Sequence, residues 1–129
     1  MKKVYFTADT HFNHSNIIKY CHRPFLTDYD KIQLEQENAW KDGKWLIDGN
    51  SVVHRISQES TRIMDKTIID NINEMVGEDD DLWFLGDWCF AHKDAYYQVA
   101  RSYRDQIKCK HVYLVMGNHD QDSLYDLFE

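Results

Sequence analysis

Asp9-Thr10-His11, Gly86-Asp87 and Gly117-Asn118-His119-Asp120 combine carboxylates, imidazoles and an amide at short spacings, the side chains that bind divalent cations and move protons. Asp9 and His11 lie two residues apart, so a carboxylate oxygen and an imidazole nitrogen can aim at one cation where the chain changes direction. That mix of oxygen and nitrogen donors suits Mn, Fe or Zn. Asp87 follows a glycine that lets backbone approach a ligand closely, and its two oxygens can bridge two cations about 3.5 to 4 Å apart. The third string holds an amide oxygen (Asn118), a histidine able to transfer a proton (His119) and a carboxylate able to orient it (Asp120). Taken singly, each string has an ordinary reading: a turn aspartate beside a surface histidine, or a helix cap after a tight turn. Their weight comes from where they fall.

Each string sits where an apolar run stops. Val4 to Ala8, Leu82 to Leu85 and Val112 to Met116 are short runs rich in β-branched and aromatic residues, and they read as buried strands. Helical patterns separate them, giving the order strand, helices, strand, helix, strand. That order predicts an α/β fold, a parallel sheet with flanking helices and right-handed crossovers. In such a sheet the strands end on one edge, where ligands collect, so the three polar strings should converge there.

The connecting segments carry their own signals. Asn13 or Ser15 can cap a short helix carrying Ile17, Ile18 and Tyr20, which should end before His22-Arg23-Pro24 because Pro24 disfavours helix in its predecessor. Asp28-Tyr29-Asp30 starts a second helix expected to reach about Trp40. Around residues 41–56, Asp42-Gly43 and Asp48-Gly49-Asn50 are turn signals that allow a small hairpin, read as an insertion near the site. Ser57 is the expected cap of a longer helix whose Met64, Ile68, Ile72, Met75 and Val76 fill one face until Gly77. Between Asp94 and Ile107, the residues Tyr96, Val99, Ala100, Tyr103 and Ile107 mark another amphipathic helix. The acidic Glu78 to Asp81 reads as a solvated turn.

Composition limits the function classes. A chain of 129 residues with no repeat and no linker-like shift fits one domain, residues 1–129. A domain of that size buries roughly two thirds of its unfolded surface. No apolar stretch approaches the roughly 20 residues of a membrane span, and the start becomes polar too early for a signal peptide. Cys21, Cys89 and Cys109 form no CxxC pair and are odd in number, which suits reduced thiols and a cytoplasmic protein. The net charge of −7 opposes broad attraction to nucleic acid or anionic membranes. Nucleic acid remains only as a substrate, since bound cations can invert the local field around a phosphate.

The order of the three strings, their placement at strand ends and the Gly-Asn-His-Asp turn resemble the calcineurin-like metallophosphoesterase family. The opening Tyr5-Phe-Thr-Ala-Asp9-Thr-His11-Phe-Asn-His14, followed by Tyr20-Cys-His-Arg23-Pro24-Phe25, is similar to a small bacterial and phage branch of it. The resemblance implies the N-terminal half of that family's α/β sandwich and a two-metal hydrolase acting on a phosphomonoester or phosphodiester. It implies Asp9 and His11 on the first metal, Asp87 bridging both, Asn118 on the second, and His119 as general acid supported by Asp120. Arg23 could clamp a phosphate oxygen with a bidentate bond.

The chain departs from the family pattern after Asp120. The family's later histidines, one alone and then a Gly-His-x-His string, have no counterpart before Glu129, and Asp122 to Phe128 reads as the start of a helix. The expected ligands therefore fall short of the roughly four to six such cations prefer. His14 is the best substitute; His54 reads as an exposed strand residue, and His22, His92 and His111 read as turn or structural positions. Cys89 should pack beneath the site. Two functions follow: a metal-dependent phosphoesterase with an incomplete site, or a non-catalytic phosphate-binding or interaction module whose exposed sheet edge pairs with a partner chain or with its own copy.

Overall fold

A computed structural model describes residues 2–117, 120 and 122–128. In chain order the elements are β1 (Val4–Thr7), α1 (Ile17–Tyr20), α2 (Asp28–Gln36), β2 (Trp40–Lys41), β3 (Lys44–Trp45), α3 (Gln58–Met75), β4 (Asp81–Phe84), α4 (Tyr96–Asp105) and β5 (His111–Leu114). Short 3-10 turns lie at Gly49–Ser51, Lys93–Ala95 and Asp122–Leu127. The chain divides into two compact units, one of Met1–Phe12 with Lys66–Glu129 and one of Asn13–Asp65. Among the described residues no helix is long and apolar enough to cross a membrane.

The first unit is α/β. Strands β1, β4 and β5 form a parallel sheet in that order, with Tyr5 opposite Leu82 and Leu82 opposite Val112. Each step across the sheet runs in the same direction, so right-handed crossovers place both connecting helices on one face. The core bears this out: Leu82, Phe84 and Val112 bury with Ile69 and Val76 from the α3 side and Tyr96 and Ala100 of α4. Phe12 and Trp88 seal its upper end, their rings meeting edge to face at 5.1 Å, while Phe12 stacks on Tyr103 at 4.7 Å.

The helical faces follow the expected spacing with one exception. Ile69 is buried and Met75 is 68 % exposed, because the apolar stripe of α3 runs through Met64, Ile68, Ile69, Ile72 and Val76 and leaves Met75 off it. Along α4 the expected set is in place, with Tyr96, Ala100 and Ile107 buried and Val99 and Tyr103 packed against them.

The second unit is built around a buried carboxylate. Thr27 caps α2 by accepting the Asp30 N–H at 3.2 Å, and Ser57 precedes α3 with its hydroxyl accepting the Ser60 N–H at 3.3 Å. The fully buried Asp30 accepts bonds from His54 Nε2 (2.7 Å), the Ser57 hydroxyl (2.6 Å) and the Ser60 hydroxyl. Helix α2 stops at Gln36, short of the expected Trp40, because Asn38 turns left-handed (φ 56) and Ala39 N–H bonds back to Leu34. A hairpin does form, but it is only β2 and β3 joined by Asp42-Gly43, both at positive φ as a two-residue turn requires. The second turn signal produces the 3-10 turn at Gly49–Ser51 instead of a strand. Gly49 is required there, since a Cβ would lie 2.2 Å from the Lys19 carbonyl oxygen.

Candidate metal centre

The ends of β1 and β4 continue side by side past the last strand residues. Asp9 N–H donates to the Gly86 carbonyl (3.2 Å), His11 N–H to that of Asp87 (3.0 Å) and Phe12 N–H to that of Trp88 (3.0 Å). The buried Thr10 hydroxyl also donates to the Trp88 carbonyl at 2.8 Å. These bonds lock the loop carrying Asp9 and His11 to the loop carrying Asp87.

Three potential ligands occupy left-handed backbone: Asp9 at φ 54, His11 at φ 49 and Asp87 at φ 51. Non-glycine residues held there each cost of order 1–3 kcal/mol and persist where surrounding structure over-determines them, which is typical of functional sites. The result of this contorted backbone is convergence. Asp9, His11 and Asp87 each offer one ligand atom, and these atoms lie within 4.8 Å of one another, with His11 Nε2 3.9 Å from Asp87 Oδ2. Tetrahedral or cis ligand atoms held at about 2.0–2.2 Å from one cation lie roughly 3.0–3.6 Å apart, so these three would draw together by up to about an ångström to share one shell. Two carboxylates and an imidazole fit Mn, Fe or Zn. Asp9 is exposed while His11 and Asp87 are half-buried, so the site opens to solvent on the side of Asp9.

The third string enters through glycine and Asp120. A Cβ on Gly117 would lie 2.9 Å from Asp87 N and 3.0 Å from Asp87 Oδ1, and one on Gly86 (φ 100) would lie 3.1 Å from Gly117 Cα. The close approach that Gly86 permits is thus to the Gly117 backbone. Asp120 then accepts three backbone N–H groups, from Asp87 (2.9 Å) and Gly117 (2.7 Å) on Oδ2 and from Trp88 (2.9 Å) on Oδ1. Asn118 and His119, expected as second-metal ligand and general acid, lie outside the described residues.

The remaining candidates have other surroundings. Arg23 belongs to the Asn13–Asp65 unit, where its Nη1 donates to Met64 Sδ at 3.2 Å. His14 is in the same unit, its ring edge-on to Tyr20 at 6.3 Å. His54 is not the exposed strand residue its sequence context suggested; the Asp30 carboxylate holds its ring. His22 stacks on Trp45, and His92 caps a 3-10 turn by accepting the Asp94 N–H. Cys89 is buried in the core beside Trp88. Sequence reasoning passed over Thr10, because a threonine inside D-x-H carries no signal of the carbonyl it will meet.

No protein-family model matches the chain. It is 31 % identical over 121 residues to an uncharacterized protein of Methanocaldococcus jannaschii, a match covering 94 % of this chain and 48 % of that protein. A solved structure of a protein of unknown function from Aquifex aeolicus superposes with a TM-score of 0.55 at 22 % identity, covering 100 % of this chain and 50 % of that one, which shows a shared fold. The chain spans about half the length of both.

Proposed function

We propose that this chain carries the amino-terminal part of a metal-dependent phosphoesterase centre. The observation that carries the reading is the convergence of Asp9, His11 and Asp87 at the carboxyl edge of a parallel sheet, each on left-handed backbone. Asp9, His11 and Asp87 would hold a first divalent cation, and Asp87 and Asn118 are the residues that would serve a second. A bound divalent cation such as Mn, Fe or Zn would supply Lewis acidity, making a bound water far more acidic and neutralising charge on the phosphoryl oxygens. His119, the next residue after Asn118 in the sequence, would protonate the departing alkoxide of a phosphate ester, a contribution typically of about a hundredfold to ten-thousandfold. A reducing cytoplasmic compartment fits the absence of disulfides among the described cysteines.

Metal stoichiometry measured beside hydrolysis of a generic phosphodiester tests the assignment. The expected result is one tightly held Mn or Zn per chain, lost or weakened in Asp87→Asn together with any turnover. Unchanged metal binding in Asp87→Asn would overturn the role given to Asp87. Two fully occupied metals with robust turnover by the chain alone would refute an incomplete site.

A further inference from the structure

We propose that Thr10 is a positioning residue of the metal centre. Its hydroxyl, acting through the Trp88 carbonyl, holds the Asp9–His11 turn where both side chains can share a cation with Asp87. The inference rests on the metal-binding reading of that cluster and adds the residue that sets its span.

Thr10 stands between two ligand candidates but is itself buried, 3 % exposed where Asp9 is exposed and His11 half-buried. Asp9 and His11 are both left-handed, at φ 54 and φ 49, and the turn belongs to no helix or strand that would keep its shape. Two backbone bonds pin it, Asp9 N–H to the Gly86 carbonyl and His11 N–H to the Asp87 carbonyl. The Thr10 hydroxyl reaches one peptide further and donates to the Trp88 carbonyl at 2.8 Å. Three successive carbonyls of the Asp87 loop therefore hold three successive residues of the Asp9 loop.

The Trp88 peptide joins the two sides of the cluster. Its carbonyl accepts the Thr10 hydroxyl and, at 3.0 Å, the Phe12 N–H, so both lone pairs are used. Its N–H donates to Asp120 Oδ1 at 2.9 Å. The Trp88 side chain is fully buried, with its indole N–H on the Ala100 carbonyl at 3.1 Å, and this anchors the peptide in the core. Losing the Thr10 hydroxyl does not orphan the carbonyl, because the Phe12 N–H remains. The fold should lose little. The turn, however, gains freedom to carry Asp9 and His11 away from Asp87. Their ligand atoms lie within 4.8 Å of one another, close to the limit for one shell, so such drift acts on metal affinity first.

The test uses Mn²⁺ as the probe, with equilibrium dialysis of the full chain for affinity and metal-free melting for the fold. Thr10→Val keeps the shape and removes the hydroxyl, whereas Thr10→Ser keeps the hydroxyl. Thr10→Val is expected to weaken Mn²⁺ binding by about 10- to 100-fold, while its metal-free melting temperature falls by no more than about 5 °C. Thr10→Ser should bind within about threefold of the parent, since the donor is kept. The visible absorption of Co²⁺ bound in place of Mn²⁺ should change in Thr10→Val and return in Thr10→Ser, which a general loss of stability would not produce. Thr61→Val is the control, at a buried threonine of the other unit whose hydroxyl lies 2.7 Å from Ser15 Oγ and 3.0 Å from the Ser57 carbonyl. It should lose comparable stability and keep the parent's affinity. A Thr10→Val chain that binds Mn²⁺ like the parent or fails to fold, a Thr10→Ser chain as weak as Thr10→Val, or an equal loss of affinity in Thr61→Val would overturn the inference. A parent chain that binds no Mn²⁺ would overturn the metal-centre reading first, and the inference with it.

Discussion

Asp120 Oδ2 accepts the backbone N–H of Asp87 at 2.9 Å while its Oδ1 accepts that of Trp88 at 2.9 Å. The carboxylate also takes the Gly117 N–H at 2.7 Å, so one side chain fixes the turn that aims Asp87 and ties it to the loop after β5. A residue expected to orient His119 thus holds the backbone of the proposed metal ligand Asp87. Supporting groups of this kind typically change metal affinity by about 10- to 100-fold when removed. Asp120→Ala is expected to weaken Mn or Zn binding by that factor, with Asp120→Asn in between because it keeps one acceptor oxygen. Equilibrium dialysis checks the affinity and thermal melting checks the fold. Parent-like affinity in Asp120→Ala would show that the three bonds do not position Asp87.

Gly117 offers a second test of the same contact. Its missing side chain leaves the space filled by Asp87, where a Cβ would sit 2.9 Å from N and 3.0 Å from Oδ1. Backbone cannot yield as the end of a flexible side chain can, so Gly117→Ala should displace Asp87 and cost stability, about 1–3 kcal/mol as for other overpacked sites. Metal affinity should fall with it. Gly77→Ala is the contrasting control, since there the nearest atom is the movable Asp80 carboxylate at 3.0 Å. Equal losses at both positions would remove the argument that crowding at Asp87 is what matters.

Which parts of this arrangement could be read in the sequence follows from how local their causes are. The three strands and their parallel order were legible because Val-Tyr-Phe, Leu-Trp-Phe and Val-Tyr-Leu are short β-branched and aromatic runs, and Gly86 and Gly117 marked where each later strand had to end; the expected burial holds for Leu82, Phe84 and Val112 but not for β1, whose Val4 and Phe6 are exposed. The meeting of Asp9, His11 and Asp87 was legible for the same reason, since parallel strand ends share an edge. The Asp30 network was not: nothing near Asp30 announces that His54, Ser57 and Ser60 will reach it from about 24 to 30 residues away. Met75 was misplaced because the α3 stripe drifts with the 3.6-residue period, so Ile69 takes the buried side. The left-handed turns were also invisible, as Asp and His tolerate that conformation without requiring it.

The Asp30 network should govern acid stability. Burial alone would raise the Asp30 pKa, but the bonds from Ser57, Ser60 and His54 outweigh it and hold the carboxyl below its ordinary 3.8. A carboxylate with a depressed folded pKa contributes stability that is fully present above the unfolded value and lost as pH falls through the folded one. Denaturant melts are therefore expected to show constant support from this group above about pH 5 and a loss below about pH 4. Asp30→Ala should remove that acid-dependent part and destabilise the chain by about 2–4 kcal/mol near neutral pH, since several buried donors lose their acceptor. A variant with the parent's stability and acid profile would show that the network carries no net energy.

The left-handed backbone at Asp9 separates metal binding from folding. At φ 54 an aspartate is held in a conformation that glycine adopts without a Cβ penalty. If the turn is set by the bonds from Asp9 N to Gly86 and from His11 N to Asp87, it persists without the Asp9 side chain. Asp9→Gly should then leave the metal-free chain as stable as the parent or more so, by up to about 1 kcal/mol, while its metal affinity collapses. The stabilisation that ligand adds, about 2.7 kcal/mol at a hundredfold excess over Kd, would be seen in the parent and absent in the variant. Melting curves with and without Mn or Zn read both effects at once. A metal-free Asp9→Gly chain that melts well below the parent would mean that the side chain builds the turn, and that the strain is not held there for a ligand.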